Sequence, residues 1–162
     1  MQARMKKYPL SASQVQQILE SELVGRLATV GEDGYPYITP VHFVLIEGYI
    51  YIHGLAVGEK LQNITNNCRV GFEVESMLSI IHDDEKPCDT NTEYKSVIIR
   101  GSASMVDDPD IKISVLDAIV KKYTPQHAGT AYPPNMLKMT GVIRVEVQSC
   151  TGKYYPRSQS ES

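Results

Sequence analysis

Residues 26–53 read RLATVGEDGYPYITPVHFVLIEGYIYIH, from Arg26 to His53. Three runs rich in β-branched and aromatic residues, 26–30, 35–45 and 49–53, are separated by two sets of turn formers, Gly31-Glu32-Asp33-Gly34 and Glu47-Gly48. This is the pattern of an antiparallel meander. Pro36 and Pro40 cannot donate ladder hydrogen bonds, so they belong at an edge, at a bulge, or where the backbone faces something other than a strand. A ligand can occupy such a gap.

Outward from this meander, the N-terminal side reads as an amphipathic helix over 11–23, with Ser11 and Gln14 fitting a capping box and Val15, Ile18, Leu19 and Leu23 at helical spacing. On the C-terminal side, 58–66 reads as a short helix with Lys60 in its first turn. Strand signals cover 69–81 and 94–106, with a polar loop at 82–93 between them. Asp108-Pro109 is a helix start, and Leu116, Ile119, Val120 and Tyr123 supply the apolar stripe of that helix. A proline-containing loop at 124–139, a last strand at 141–147 and a polar tail at 158–162 complete the chain. Six antiparallel strands with inserted helices predict a mainly β fold, a small barrel whose edges are closed or covered.

The chain has 162 residues, which favours one domain over 1–162 with its core at about 10–155. Sixteen Lys and Arg against nineteen Asp and Glu give a net charge of -3, with both signs spread along the chain, so a nucleic-acid partner is not expected. Hydrophobic residues make up 42% and charged residues 22%, which excludes wholesale disorder. No apolar run is long enough for a membrane span, and Arg4, Lys6 and Lys7 precede a polar segment, so neither membrane insertion nor export is expected. Cys68, Cys88 and Cys150 form no close pair, which suits a reducing cytoplasm. His42, His53, His82 and His127 make no paired-ligand spacing, so no metal site is expected.

Motifs of α/β hydrolases, P-loop proteins and Rossmann domains are missing. The densest chemical cluster is 35–42, followed by Tyr51-Ile52-His53-Gly54 and Gly58-Glu59-Lys60. A flavin needs a phosphate anchor, backbone groups along one ring edge and an apolar slot. Lys60 beside a helix start could face the phosphate, while the Thr39-Pro40-Val41 backbone could face the ring. Against this, a lone lysine is most often a solvated surface group. His53 ends an alternating strand next to Gly54, which permits close approach, so it could bind a ligand or move a proton. Against this, single histidines are common and few are catalytic, so taken by itself His53 reads first as a strand-end histidine satisfied by backbone. His82-Asp83-Asp84-Glu85 lacks a calcium-loop glycine and reads as a solvated loop. Cys68 beside Arg69 has no identifiable histidine partner.

The order of Gly25-Arg26-Leu27-Ala28-Thr29, Asp33-Gly34-Tyr35-Pro36, Thr39-Pro40-Val41-His42-Phe43, Tyr51-Ile52-His53-Gly54, Gly58-Glu59-Lys60-Leu61 and 94–101 resembles the FMN-binding split-barrel superfamily, the pyridoxamine-phosphate-oxidase-like proteins, and within it the nitroimidazole-resistance branch. The resemblance runs from about Leu10 to Tyr155. It implies a six-stranded antiparallel split β-barrel with flanking α-helices, a homodimer with flavin at the subunit interface, and FMN, less often FAD, as cofactor. Carried over by position, Thr39, Pro40, Val41 and Gly54 line the flavin, Lys60 and Asn63 meet its phosphate, and Tyr94, Ser96 and Val97 complete the site. His53 matches the branch's histidine beside the flavin and is the catalytic candidate. The segment Gly152-Lys153-Tyr154-Tyr155-Pro156 stands where true pyridoxamine phosphate oxidases carry an Arg and His pair, which argues against vitamin B6 oxidation. The implied activity is flavin-dependent reduction of a small aromatic acceptor such as a 5-nitroimidazole by a small-molecule electron donor. The alternative is a non-catalytic module that binds or senses flavin or haem.

Overall fold

The computed structural model describes residues 7–156, so the polar tail expected at 158–162 and the basic Arg4 and Lys6 lie outside the described residues. Helix α1, Ala12–Ser21, starts as its sequence dictates. The Ser11 hydroxyl accepts from the Gln14 N–H at 3.3 Å, while the Gln14 side chain accepts from the Ser11 N–H at 2.9 Å. The helix stops at Ser21 and not at the expected Leu23 because the chain must enter strand β1, Gly25–Val30, through Gly25. A Cβ there would lie 2.3 Å from the Phe72 ring.

The remaining elements in chain order are β2 (Pro36–Val41), β3 (Phe43–Ile46), β4 (Tyr49–Leu55), α2 (Glu59–Asn66), β5 (Arg69–Ile81), β6 (Asn91–Met105), α3 (Pro109–Tyr123), α4 (Pro134–Met139) and β7 (Thr140–Tyr155). They form one antiparallel sheet in the order β2-β1-β5-β6-β7-β4-β3. Seven strands replace the expected six because the run 35–45 breaks at His42, which belongs to neither strand. Val41 pairs with Gly25 of β1, whereas Phe43 already pairs with Ile52 of β4. The two edge strands are therefore successive, and the sheet is closed there by one residue of chain instead of a ladder. Pro36 and Pro40 lie opposite Val30 and Arg26. Having no N–H for β1, they fit the non-hydrogen-bonded positions of that ladder, where backbone groups point off the sheet edge.

Inside the curl, Leu27, Phe43, Ile50, Ile52, Phe72, Val97 and Ile143 are almost wholly buried, and Ile18 and Leu19 of α1 with Leu61 and Ile64 of α2 join them. A second cluster lies across the barrel wall, where Val115, Leu116 and Ile119 of α3 pack on Val44, Tyr51 and Val142. β4 is thus covered on both faces, Ile50 and Ile52 inward and Tyr51 outward. His53, two residues beyond Tyr51, shares the outward face. This puts it on the same side of the wall as α3.

Two connections differ from expectation. The last strand runs to Tyr155 and not only to 147, because a bulge between Arg100 and Gly101 absorbs Gln148 and lets the polar stretch beyond it keep pairing with β6. Gly101 is required there, since a Cβ would meet the Glu146 carbonyl oxygen at 2.3 Å. The loop expected at 124–139 contains α4, and that expected at 82–93 contains a short 3₁₀ turn at Pro87–Asp89. Among the described residues no helix is long and apolar enough to cross a membrane.

Candidate functional site

Where β2 gives way to β3, a cavity of about 380 Å³ is lined by Val24, Pro40, Val41, His42, His53 and Lys60. Four separate stretches of chain converge on it: the entry to β1, the β2–β3 break, the end of β4 and the first turn of α2. Each arrives for a local reason. Pro40 lies on an edge strand, His42 is the unpaired residue at the break, and His53 takes the outward face of β4. Lys60 follows Gly58, which caps α2 at φ 133 without any side-chain hydrogen bond and leaves the first-turn N–H groups without a side-chain acceptor.

Gly54 sets how closely α2 approaches β4. A Cβ on it would lie 3.4 Å from Lys60 Nζ, so the bare backbone makes room for the ammonium. Among the described residues Lys60 forms no ion pair with a carboxylate, and none of the lining residues is acidic. The imidazole of His53 is held below its ordinary pKa by burial first, then by the positive fields of His42 and Lys60. A neutral imidazole offers one donor and one acceptor, the form that can orient a ligand or relay a proton. The rings of His42 and His53 are near parallel, with centroids 6.0 Å apart and planes at 19°. Next to this wall, the Thr39 hydroxyl is buried without a hydrogen-bond partner. An orphaned polar atom beside a basic cavity is what a bound polar ligand would resolve.

The structure therefore brings together Pro40, Val41, His53 and Lys60, with Thr39 and Gly54 adjoining. It places the other candidates elsewhere. Asn63 is buried and donates to the Thr29 hydroxyl at 3.0 Å, and it lines a different cleft with Gly31, Glu32 and Gln62. Tyr94 stacks on Tyr155 at 6.0 Å with the Lys153 ammonium 4.6 Å from its ring centre. Ser96 pairs with Glu75 and Lys153 on the β5–β6–β7 ladder, and Val97 is fully buried in the barrel core. None of these lines the cavity. Sequence reasoning gave little weight to His42 and none to Val24. The signal for His42 was its place directly after Thr39-Pro40-Val41, where the strand has to change partners.

The antiparallel sheet curls into a split barrel whose edge strands β2 and β3 do not pair, with a basic, proline-edged slot at that seam. The chain belongs to the pyridoxamine 5'-phosphate oxidase family, whose sequence model matches residues 11–154. Among curated relatives, the 5a,11a-dehydrotetracycline/5a,11a-dehydrooxytetracycline reductase of Streptomyces rimosus is 37% identical over 89 residues. That stretch is 52% of this chain and 56% of the reductase, so the match spans little more than half of that protein. Two solved structures share the fold. Flavocytochrome Anf3 from Azotobacter vinelandii superposes with a TM-score of 0.86 at 18% identity, covering 99% of this chain and 76% of that one. A protein ascribed to 5-nitroimidazole antibiotic resistance, from Bacteroides thetaiotaomicron, gives 0.78 at 20% identity, covering 90% and 86%.

Proposed function

We propose that the protein is a flavin-dependent reductase that passes electrons from a small-molecule donor to a small aromatic acceptor, of which a 5-nitroimidazole is the type. The observation that carries this reading is the cavity at the β2–β3 seam whose ionisable lining residues, Lys60, His53 and His42, are all basic, with no carboxylate among them. FMN is the proposed cofactor, with FAD as the alternative. When bound, a flavin supplies reversible hydride and electron transfer.

The residues present fit such a group. Lys60 and the start of α2 would take the phosphate, because a charge-assisted contact and a helix start both favour an anion. Pro40 and Val41 supply an apolar wall, and the buried, unpartnered Thr39 hydroxyl adjoins it. Neutral His53 would hold a proton at an imidazole nitrogen beside the reacting ligand. His42 and His53 together narrow the slot against water.

About 380 Å³ is near the lower end of ligand cavities, which run from roughly 300 to 1,000 Å³, so one copy would enclose a flavin only in part. We infer a homodimer, with the second copy completing each slot and Tyr94 and Ser96 serving the partner's site. Exposed Ile38, Met77 and Ile98 on the outer sheet give such a partner apolar surface to cover. The three free cysteines fit a cytoplasmic location.

The test begins with the visible spectrum of the purified protein and titration of the stripped chain with FMN and FAD. Flavin bands, and turnover of a reduced nicotinamide with a nitroaromatic above the rate of free flavin that falls in His53→Ala, are expected. A Soret band would instead favour a haem-binding module, the second reading, which the shared fold with a flavocytochrome keeps in view. Binding of neither flavin would overturn the proposal.

A further inference from the structure

We propose that Tyr123, the last residue of α3, is a positioning residue for the histidine wall of this cavity, holding His42 beside His53 across the break between β2 and β3. The functional consequence rests on the flavin reading above, whereas the geometry does not.

The Tyr123 hydroxyl accepts from the Phe43 N–H at 2.9 Å. Its single proton is shared between the Leu23 carbonyl at 2.9 Å and the Phe43 carbonyl at 3.1 Å. Leu23 and Phe43 are the chain neighbours of Val24 and His42, both of which line the cavity. One phenol therefore ties together two of the segments that line the cavity, side by side where β1 and β2 end their pairing. It does so where the sheet offers His42 no ladder partner.

The ring does a second job. It lies against the His42 imidazole with centroids 4.2 Å apart and planes at 23°, closer than the 6.0 Å between His42 and His53. Three near-parallel rings thus run from α3 to the cavity. Anchoring of the helix end does not account for this arrangement, because the neighbouring Lys122 already does that. Its ammonium donates to the Leu19 carbonyl at 3.1 Å and sits 3.8 Å from the Phe43 ring centre. What is left to the Tyr123 ring is the placement of His42. The charged groups that act on His53 are His42 and Lys60, and moving His42 removes one of them.

The test compares wild type, Tyr123→Phe and Tyr123→Leu by NMR titration of the His53 imidazole in the flavin-free chain, with FMN affinity measured in parallel. The phenylalanine variant keeps the stack, so its His53 midpoint should match wild type while FMN affinity falls about threefold. In the leucine variant the midpoint should rise as the field of His42 recedes, with an affinity loss of about tenfold. An unchanged His53 midpoint in folded Tyr123→Leu overturns the proposal. Should the leucine variant not fold, Tyr123→Phe is measured again in a His42→Ala background. There the loss of FMN affinity should vanish, and an equal loss in both backgrounds overturns the proposal. Failure of wild type to bind FMN or FAD counts against the flavin reading instead, and the NMR comparison alone then decides the role of Tyr123.

Discussion

Gly54 of β4 and Lys60 of α2 face each other so closely that a methyl group on the glycine would sit 3.4 Å from the lysine Nζ. The cationic corner of the cavity thus depends on a missing side chain as much as on a present charge. Gly54→Val should push the ammonium out of place and weaken FMN binding, while the fold keeps its melting temperature within a few degrees, because a Cβ there would meet only the Lys60 side chain within 4 Å. Fluorescence titration alongside thermal melts separates the two effects. A variant with wild-type affinity would show that Lys60 does not use this corner.

Lys60→Met removes one charge-assisted contact, worth roughly 1.5–3 kcal/mol. That corresponds to a loss of about ten- to a hundredfold in FMN affinity. Lys60→Glu should lose more, since it sets like charge against the phosphate. Riboflavin, lacking phosphate, is the control ligand, and its affinity should change much less.

Asn63 gives the contrasting result. Its amide donates to the buried Thr29 hydroxyl, which itself donates to the Tyr37 carbonyl at 3.4 Å, so Asn63→Ala removes one interior hydrogen bond and should cost about 0.5–1.5 kcal/mol of stability. Flavin affinity per folded molecule should hold. Urea unfolding and FMN titration of the same preparation decide between this structural role and a phosphate contact.

His53 should leave its mark on acid stability. Its folded pKa lies below the ordinary value near 6.5 that the unfolded chain retains, so on acidification the unfolded chain takes up a proton first. Stability then falls as pH drops below about 6.5 and levels off once the folded pKa is passed. In His53→Gln that part of the acid limb should be missing, as read from urea melts between pH 5 and 7.

At the alkaline end the relevant group is Lys122, whose pKa is lowered to about 8 mainly by burial, against the opposing fields of Glu22 and Glu20. From there to about 10.4 the unfolded chain carries a proton that the folded one has released. Stability from this group therefore rises with pH across that window. Lys122→Met should flatten the slope, measured as the difference between the two unfolding curves at pH 8 and 10.

The sequence was legible where local rules and core periodicity agree. Ser11 with Gln14, and Asp108 with Pro109, announced the starts of α1 and α3, and the alternation through 69–81 marked β5. Legibility failed where tertiary context decides. Gln148 to Tyr155 carry no apolar alternation, and they form strand only because β6 runs beside them. The break at His42 is set by a change of ladder partner that no local pattern records. Within the site, the motif order pointed to Lys60, His53 and the Thr39–Val41 segment, and all of these meet at one seam or adjoin it. Asn63 carries the same polar signature as a ligand contact, and only the fold shows that its amide is used in the core. Tyr123 read as one more apolar position on a helix stripe, because the hydroxyl's partners lie 80 and 100 residues away.

The two prolines of β2 have a bearing on how the protein behaves in a crowded solution. A sheet that ends in a bare edge invites another chain to add a strand, the first step toward polymerisation. Along β2 an incoming strand would find donors missing at Pro36 and Pro40, so no regular intermolecular ladder could extend past Ile38. The opposite edge, β3, is four residues long and turns directly into the seam. The gap that leaves backbone free for a small ligand is also what denies that backbone to a second chain, and replacing Pro36 and Pro40 together should show up first as aggregation.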